Sequence, residues 1–267
     1  MYTLFLFIFA SSSDLYTFTF ANWAGVFIFF CAKRGVETRI VIRTNNDFFI
    51  FAFPTYHCEP STSMLEFVKS MPAFVQEKRG FAFTTCGLYS GNSLRIFIKE
   101  CLKKNITICG NSVYRAPASD GALLLPPLKF MFNYEKNIAC KLKDDINKIH
   151  RILKTNNNKL DCPDFELYTL LNLPNKILGK AYKHKIELMK ENCINCNICI
   201  DSCKRNCWKK TKHYPEHDTS SCEFCFKCIH HCPNNAIILS KKTLKKPKLN
   251  SKFYSNLKQK ILKELDN

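Results

Sequence analysis

Short apolar runs alternate with amphipathic segments along the first 155 residues of the chain. The runs have the length and mainly apolar character of buried strands, and they lie at 3–10, 38–42, 48–53, 80–85 and 105–114. Apolar positions recur at helical spacing in segments 18–32, 61–71, 91–104 and 134–155. Because apolar strands that alternate with helices are typical of a parallel sheet covered on both faces, the pattern predicts an α/β domain over residues 1–155.

The pattern changes after residue 155. Residues 156–190 are interpreted as a linker with a connecting helix at 176–190, and residues 191–240 are rich in cysteine. Residues 241–267 form a basic tail. Its apolar positions recur every four residues from 253 to 265, which predicts an amphipathic helix at 251–265.

Residues 15–32 allow a second interpretation. They form an uncharged, mainly apolar run of 18 residues followed by Lys33 and Arg34, which is near the lower limit for a membrane-spanning helix. The run also contains Asn22 and Gly25, and it lies where the first strand and helix of the domain belong. The sequence therefore favours a soluble domain, with membrane contact through residues 15–32 as the alternative.

Positive charge is concentrated near the C-terminus. The chain has 40 Lys and Arg against 22 Asp and Glu, a net charge of +18, and half of this excess lies in residues 201–267. Such a surface can meet nucleic acid, an anionic membrane or an acidic protein. No nucleic-acid-binding motif accompanies the charge, so we expect an acidic partner protein and no nucleic acid.

Sixteen cysteines are present, and half of them fall in two regular motifs. The first motif is Cys193, Cys196, Cys199 and Cys203, and the second, which has the same spacing, is Cys222, Cys225, Cys228 and Cys232. Three thiolates spaced in this way can hold three irons of a cubane cluster, with a fourth ligand from elsewhere. Zinc sites usually combine two separated pairs of ligands, so the third cysteine disfavours zinc. Metal-binding thiols also indicate a reducing intracellular compartment, for which the cytoplasm is our expectation.

The cysteine segment resembles the bacterial-type ferredoxins with two 4Fe-4S clusters, in which the fourth cysteine of each motif binds the other cluster. The resemblance implies a small α+β ferredoxin-like domain at 191–240. It also implies one cluster on Cys193, Cys196, Cys199 and Cys232, and another on Cys222, Cys225, Cys228 and Cys203. The family usually has a proline after the fourth cysteine, as at Pro233, whereas Lys204 follows Cys203.

Basic residues and histidines flank the motifs. Arg205, Lys227 and the lysine-rich tail can balance the negative charge of the clusters, or they can form a solvated basic surface. His230 and His231 lie inside the second motif and are expected to cover the cluster, because four cysteines are already available as ligands. The other eight cysteines show no repeated spacing, and most of them are interpreted as small core residues. Cys207 lies near the first motif, so a spare metal ligand is the alternative to a core role there.

Two stretches of the α/β domain resemble flavodoxins, and in particular the family in which a flavodoxin-like domain precedes a ferredoxin. In residues 48–68 an apolar strand ends in Pro54, Thr55 and Tyr56, and in residues 80–98 a strand ends in Thr85, Cys86 and Gly87, with Tyr89 shortly after. In flavodoxins the corresponding loops enclose the isoalloxazine ring of FMN. The resemblance implies stacking of Tyr56 and Tyr89 on that ring, with backbone N–H groups of residues 85–87 facing its polar edge.

The FMN phosphate site departs from the flavodoxin pattern. Flavodoxins carry a loop of Ser, Thr and Gly after the first strand, and the corresponding residues here are Ser11, Ser12, Ser13 and Thr17. No glycine is present in this stretch, and Asp14 would repel a phosphate. FMN is therefore a candidate cofactor that we expect to bind weakly.

Together these features predict an electron carrier instead of an enzyme with catalytic residues of its own, because the redox chemistry would belong to the cofactors. The carrier would hold two 4Fe-4S clusters and would exchange electrons with FMN where FMN is bound. Two alternatives stay open. One is a zinc-containing basic module that binds nucleic acid, and the other is a membrane-tethered electron carrier.

Overall fold

A parallel β-sheet forms the centre of the α/β part of the chain. The computed structural model describes residues 26–30, 48–124, 132–155, 158–172 and 185–266. The strands in this part are β1 (Val26–Phe30), β2 (Phe48–Tyr56), β3 (Glu59–Pro60), β4 (Lys78–Cys86) and β5 (Ile106–Arg115). Their spatial order is β1-β2-β4-β5 with parallel neighbours throughout, and β3 pairs antiparallel with the end of β2. The predicted parallel α/β sheet is therefore confirmed.

Helices cover both faces of this sheet. They are α1 (Thr62–Ser70), α2 (Ser93–Leu102), α3 (Ser119–Leu124) and α4 (Ile138–Thr155). Side chains alternate along β2, so Phe51 and Phe53 face α1 and α2, while Phe48 and Ile50 face α4. The ring of Phe97 in α2 lies 5.1 Å from that of Phe51 and 4.4 Å from that of Phe53. The strand residues are apolar on both sides because both sides are buried.

The edge of the sheet at β5 is covered by the segment that follows α4. The backbone N–H of Asp161 donates to the carbonyl of Ile108 at 2.8 Å, and the Asn111 side chain donates to the carbonyl of Asp161 at 3.0 Å. These bonds satisfy polar groups that an edge strand would otherwise expose. This part of the predicted linker at 156–190 is thus bound to the sheet.

The cysteine-rich part consists of very short elements. They are β6 (Glu187–Leu188), α5 (Ile198–Ser202), β7 (Trp208–Lys209), β8 (Glu216–His217), α6 (Lys227–His231) and β9 (Ile237–Ile238). Two antiparallel pairs join β6 to β9 and β7 to β8. A separate apolar core, built around Trp208, Phe226 and Ile229, lies beneath them. We call residues 185–240 the cysteine-rich unit.

The basic tail ends in helix α7 (Ser251–Asp266), which agrees with the helix predicted at 251–265. Its Ile261 is buried against Ile149 and Ile152 of α4, and Tyr254 is buried beside Ala122 of α3. The amphipathic helix therefore covers the chain's own α/β core.

Two helix predictions are wrong where the structure describes their residues. Residues 26–30, inside the helix predicted at 18–32, form β1 instead. A run of Val, Phe and Ile favours a strand, and apolar periodicity cannot distinguish a short buried strand from a helix. Likewise, residues 187–188 of the helix predicted at 176–190 form β6. The strands predicted at 3–10 and 38–42 lie outside the described residues.

The strand at 26–30 also bears on the membrane interpretation of residues 15–32. These five residues pair in parallel register with β2, from Val26 opposite Phe48 to Phe30 opposite Ala52. They are therefore part of the sheet and not of a spanning helix. No helix within the described ranges has the length and apolar character needed to cross a bilayer.

Candidate metal centre

The two cysteine motifs have the same backbone geometry. Helices α5 and α6 stand at equivalent places in the two repeats, as do strands β6 and β8, and strands β7 and β9. Left-handed backbone recurs at the same positions, with positive φ at Asn195, Asn197 and Asn206 in one repeat and at Phe224, Phe226 and Asn235 in the other. Such a conformation is uncommon for a residue as bulky as phenylalanine and persists only where the surrounding structure holds it. Both motifs thus form the same tight loop.

The repeats exchange their strands. The strand before the first motif, β6, pairs with β9 after the second, and β8 before the second motif pairs with β7 after the first. A matching hydrogen bond extends each pair, from Met189 N–H to the Ala236 carbonyl at 2.7 Å and from Asp218 N–H to the Cys207 carbonyl at 2.6 Å. This exchange brings the end of each motif to the beginning of the other.

A first cavity collects four cysteines. Its lining includes Cys193, Cys196 and Cys199 of the first motif together with Cys232 of the second, and apolar residues such as Leu188 and Ile237 complete it. Cys196 is exposed and Cys199 is buried. The cavity therefore has one side at the surface, and its thiols are the set that the ferredoxin resemblance implies for one cluster.

A second cavity collects the other four. It is lined by Cys222, Cys225 and Cys228 of the second motif and by Cys203 of the first. Cys207 also lines this cavity, which opens toward the end of β2, where Pro54 and Tyr56 contribute to the wall. The second set of thiols thus lies between the cysteine-rich unit and the sheet.

Backbone N–H groups point at the sulfur atoms of the fourth cysteines. The N–H of Cys207 donates to Sγ of Cys203 at 3.3 Å, and that of Ala236 donates to Sγ of Cys232 at 3.1 Å. Donors at these positions favour a sulfur that carries negative charge, as a thiolate bound to metal does.

Burial affects the protonation of several of these thiols. Desolvation raises the pKa of Cys199 to about 11 and that of Cys225 to about 12, and it raises the pKa of Cys228 far above its ordinary value. Without a cation nearby these side chains are therefore neutral thiols. A metal bound in either cavity would replace their protons.

A buried ammonium group lies near both sets of thiols. Lys248 Nζ is buried and has no hydrogen-bond partner among the described residues. Burial lowers the pKa of Lys248, and the nearby thiols of Cys232 and Cys228 partly oppose this lowering. An unpartnered buried cation is costly, and an anionic group bound between these cysteines would offset that cost. The donor set and its charge therefore fit an anionic metal cluster.

Other charged residues attach the cysteine-rich unit to the α/β part. Arg205 makes a two-pronged ion pair with Glu66 of α1, with 2.9 Å between Nη2 and Oε1. The guanidinium lowers the pKa of Glu66 through this hydrogen bond. Glu223 accepts a hydrogen bond from the N–H of Ser63 at the start of the same helix, at 3.4 Å. Arg205 thus has a structural role in addition to any effect on a metal site.

His230 is not a metal ligand in this arrangement. Its Nε2 lies 2.9 Å from the carbonyl oxygen of Ser119, and its Nδ1 accepts the N–H of Leu249 at 3.2 Å. Burial lowers the pKa of His230 to about 4, so the ring is neutral and Nε2 is the donor. The histidine joins α6 to α3 and to the tail.

Sequence reasoning missed His217, and it favoured a core role for Cys207 over that of a spare ligand near the first motif, whereas both residues lie beside the second set of thiols. Ligand atoms of Cys207, His217 and Cys222 all lie within 4.8 Å of one another. The equivalent positions beside the first set of thiols are occupied by Ala236 and Leu188. A residue-by-residue alignment of the two repeats would have shown that only one of the two sites carries Cys and His at these places.

Several residues that were predicted to hold the flavin ring are packed against other segments of the chain. A Cβ added to Gly87 would lie 2.6 Å from Cβ of Ala118, and the ring of Tyr89 meets that of Tyr168 edge to face at 5.3 Å. The carbonyl of Cys86 accepts the N–H of Ala116 at 2.8 Å.

The other residues that were predicted to contact flavin are hydrogen-bonded, buried or turned toward the cysteine cavity. Thr55 Oγ1 is hydrogen-bonded to Oγ1 of Thr84 at 2.8 Å and to Oγ of Ser93 at 2.9 Å, and Thr85 is buried. Pro54 and Tyr56 face the second cysteine cavity. The described residues therefore do not fit FMN bound between these loops. The predicted phosphate residues Ser11, Ser12, Ser13 and Thr17 lie outside the described ranges.

Comparisons of the chain with protein-family models, with curated proteins and with solved structures found no match.

Proposed function

We propose that this chain is an electron carrier with two 4Fe-4S clusters, one in each cysteine cavity. Cys193, Cys196, Cys199 and Cys232 would hold the first cluster, and Cys203, Cys222, Cys225 and Cys228 the second. The observation that carries the proposal is the sorting of eight motif cysteines into two cavities, each with three thiols from one motif and the fourth from the other. Neither cavity needs a ligand from outside the chain.

The clusters would supply reversible one-electron chemistry. The chain's own residues would bind the irons through thiolates and exclude water through the apolar core around Trp208 and Phe226. The N–H groups of Cys207 and Ala236 would stabilise the charged sulfurs of the fourth cysteines. Flavin is not part of this proposal, since the predicted ring contacts are engaged elsewhere.

The two centres would differ in access. The first cavity lies beside exposed apolar side chains, with Ile194 59% and Ile198 38% exposed, and Cys196 itself is exposed. The second cavity lies against β2. Electrons would therefore enter or leave through the first centre, at an exposed surface of a chain whose net charge is +18. An acidic redox protein is the partner that this surface fits.

Metal analysis tests the proposal directly. After reconstitution with iron and sulfide under anaerobic conditions, the full chain should contain about eight iron atoms and about eight acid-labile sulfides. Purified chain that retains two to four zinc ions and takes up no iron would instead support the basic zinc module. A chain with Cys196 and Cys225 both changed to alanine is the matched control, because each cavity then lacks one ligand.

FMN binding should be weak. The loops that would hold the ring are packed against Ala118 and Tyr168, and opening them would cost these contacts. Titration of the full chain with FMN, followed by flavin fluorescence, should therefore show no stoichiometric quenching. Tight binding at one FMN per chain would contradict the fit argument, and an increase in affinity on Asp14→Gly would show that residues 11–17 contact the phosphate.

A further inference from the structure

The second cavity contains more ligands than a 4Fe-4S cluster needs. Besides its four motif cysteines it holds Cys207 and His217. The first cavity, which is built in the same way, has Ala236 and Leu188 at the two equivalent positions. The difference places two additional metal-ligating side chains in one cavity only.

These additional ligands form a compact group with Cys222. The three ligand atoms lie within 4.8 Å of one another, whereas ligands of a tetrahedral zinc ion lie roughly 3.5–3.8 Å apart, given Zn–S bonds of about 2.3 Å. Shifts of about 1 Å would close this difference. Cys203 is adjacent, since its Sγ accepts the N–H of Cys207 at 3.3 Å. Three thiols and one imidazole are a usual donor set for a structural zinc ion.

The histidine is held in place and has an available nitrogen. Strand pairing sets His217 opposite Trp208, and the two rings stack with centroids 4.8 Å apart and planes 24° apart. Nδ1 of His217 is buried and has no hydrogen-bond partner in the described part of the chain. A bound cation would satisfy a nitrogen that is otherwise costly to bury.

We propose that Cys207, His217 and Cys222, with Cys203 as the fourth ligand, form a site for a single divalent ion of the zinc type. Any protons that these thiols still hold pass to solvent when the ion binds. The ion takes two cysteines that the second cluster needs, so the ion and that cluster exclude each other. The second cavity can therefore hold either a 4Fe-4S cluster or a single ion with an imidazole ligand. The first cavity can hold a cluster or an ion with four thiolate ligands.

The iron-free full chain, reduced and titrated anaerobically with Co²⁺, tests this proposal. Cobalt in the first cavity would have thiolate ligands alone, whereas cobalt in the second would also show nitrogen hyperfine coupling from an imidazole in pulsed EPR. We expect about one imidazole-bound cobalt ion per chain. His217→Leu should abolish the nitrogen coupling, and Cys207→Ala should weaken this site by about 100-fold or more, since even an outer partner contributes about 10–100-fold.

Cys225→Ala is the matched control, because Cys225 lines the same cavity but does not belong to the proposed ion site. It should leave the imidazole-bound cobalt unchanged. Nitrogen coupling that is absent in the unmodified chain, or that survives His217→Leu, would overturn the proposal. Loss of the coupling in Cys225→Ala with retention in Cys207→Ala would overturn it as well.

Reconstitution with iron and sulfide separates this proposal from the two-cluster function. Cys207→Ala and His217→Leu copy the residues of the first cavity, so both variants should still take up about eight irons, which also shows that they fold. If no version of the chain takes up iron, the two-cluster proposal fails while the cobalt result still decides the ion site. If iron uptake in these two variants falls to half, the residues are cluster ligands and the ion site is wrong.

Discussion

Changing Cys232 to alanine should destroy the cluster proposed for the first cavity, although Cys232 belongs to the second motif. Its side chain lines the cavity of Cys193, Cys196 and Cys199, and strand exchange between the repeats places it there. Loss of one of four thiolates leaves an iron without its protein ligand. Iron content should fall from about eight to about four atoms per chain.

Two reference variants identify which cluster is lost. Cys196→Ala removes a first-motif cysteine that lines the first cavity, and Cys225→Ala removes a second-motif cysteine that lines the second cavity. EPR spectra of reduced Cys232→Ala should match those of Cys196→Ala, and spectra of Cys203→Ala should match those of Cys225→Ala. If Cys232→Ala instead matches Cys225→Ala, each motif holds its own cluster and the crossed assignment is wrong.

Removing the metal that we propose for the two cavities should unfold the cysteine-rich unit while the α/β part stays folded. The unit has strands of two residues and helices of five, and the cysteines themselves pack against its small core. A core of this size rarely supplies enough free energy alone, and metal binding then contributes to folding directly. By contrast, the sheet core around Phe51 and Phe97 is formed without any of the motif cysteines.

Hydrogen exchange on the full chain measures this difference. In the metal-free protein the amides of residues 185–240 should exchange about 100-fold faster or more than in the reconstituted protein. Amides of β2, β4 and β5 should keep their protection and serve as the internal control. Equal protection of residues 185–240 in both forms would show that the unit folds without metal.

The sheet was predictable where its strands are mainly apolar runs. The strands predicted at 48–53, 80–85 and 105–114 correspond to β2, β4 and β5, because burial on both faces favours apolar residues on both sides of a strand. The same apolar composition led to a wrong helix prediction at residues 26–30, because apolar residues there also satisfy a helical pattern. Only pairing with β2 decides between the two, and pairing is a long-range property.

The candidate metal centre was predictable from spacing as far as the eight motif cysteines. Cys207 stood out only as a possible spare ligand near the first motif, and His217 did not stand out at all. Their proximity depends on the antiparallel pair β7–β8, and strands of two residues leave no periodic signal. For flavin, the sequence placed the residues correctly but could not show what packs against them. Pro54, Thr55 and Gly87 stand at strand ends as the resemblance implies, but the segment at 163–172 and the start of α3 lie against the same loops.

Because the two repeats exchange strands, the cysteine-rich unit is built like a two-fold dimer whose two halves are joined in one chain. A single repeat would have half of each strand pair and three of the four thiols of a site. Two separate copies would have to associate around a two-fold axis before either could bind a cluster. The peptide segment between β7 and β8 removes this step, because it holds the halves at a high effective concentration and makes their assembly independent of protein concentration.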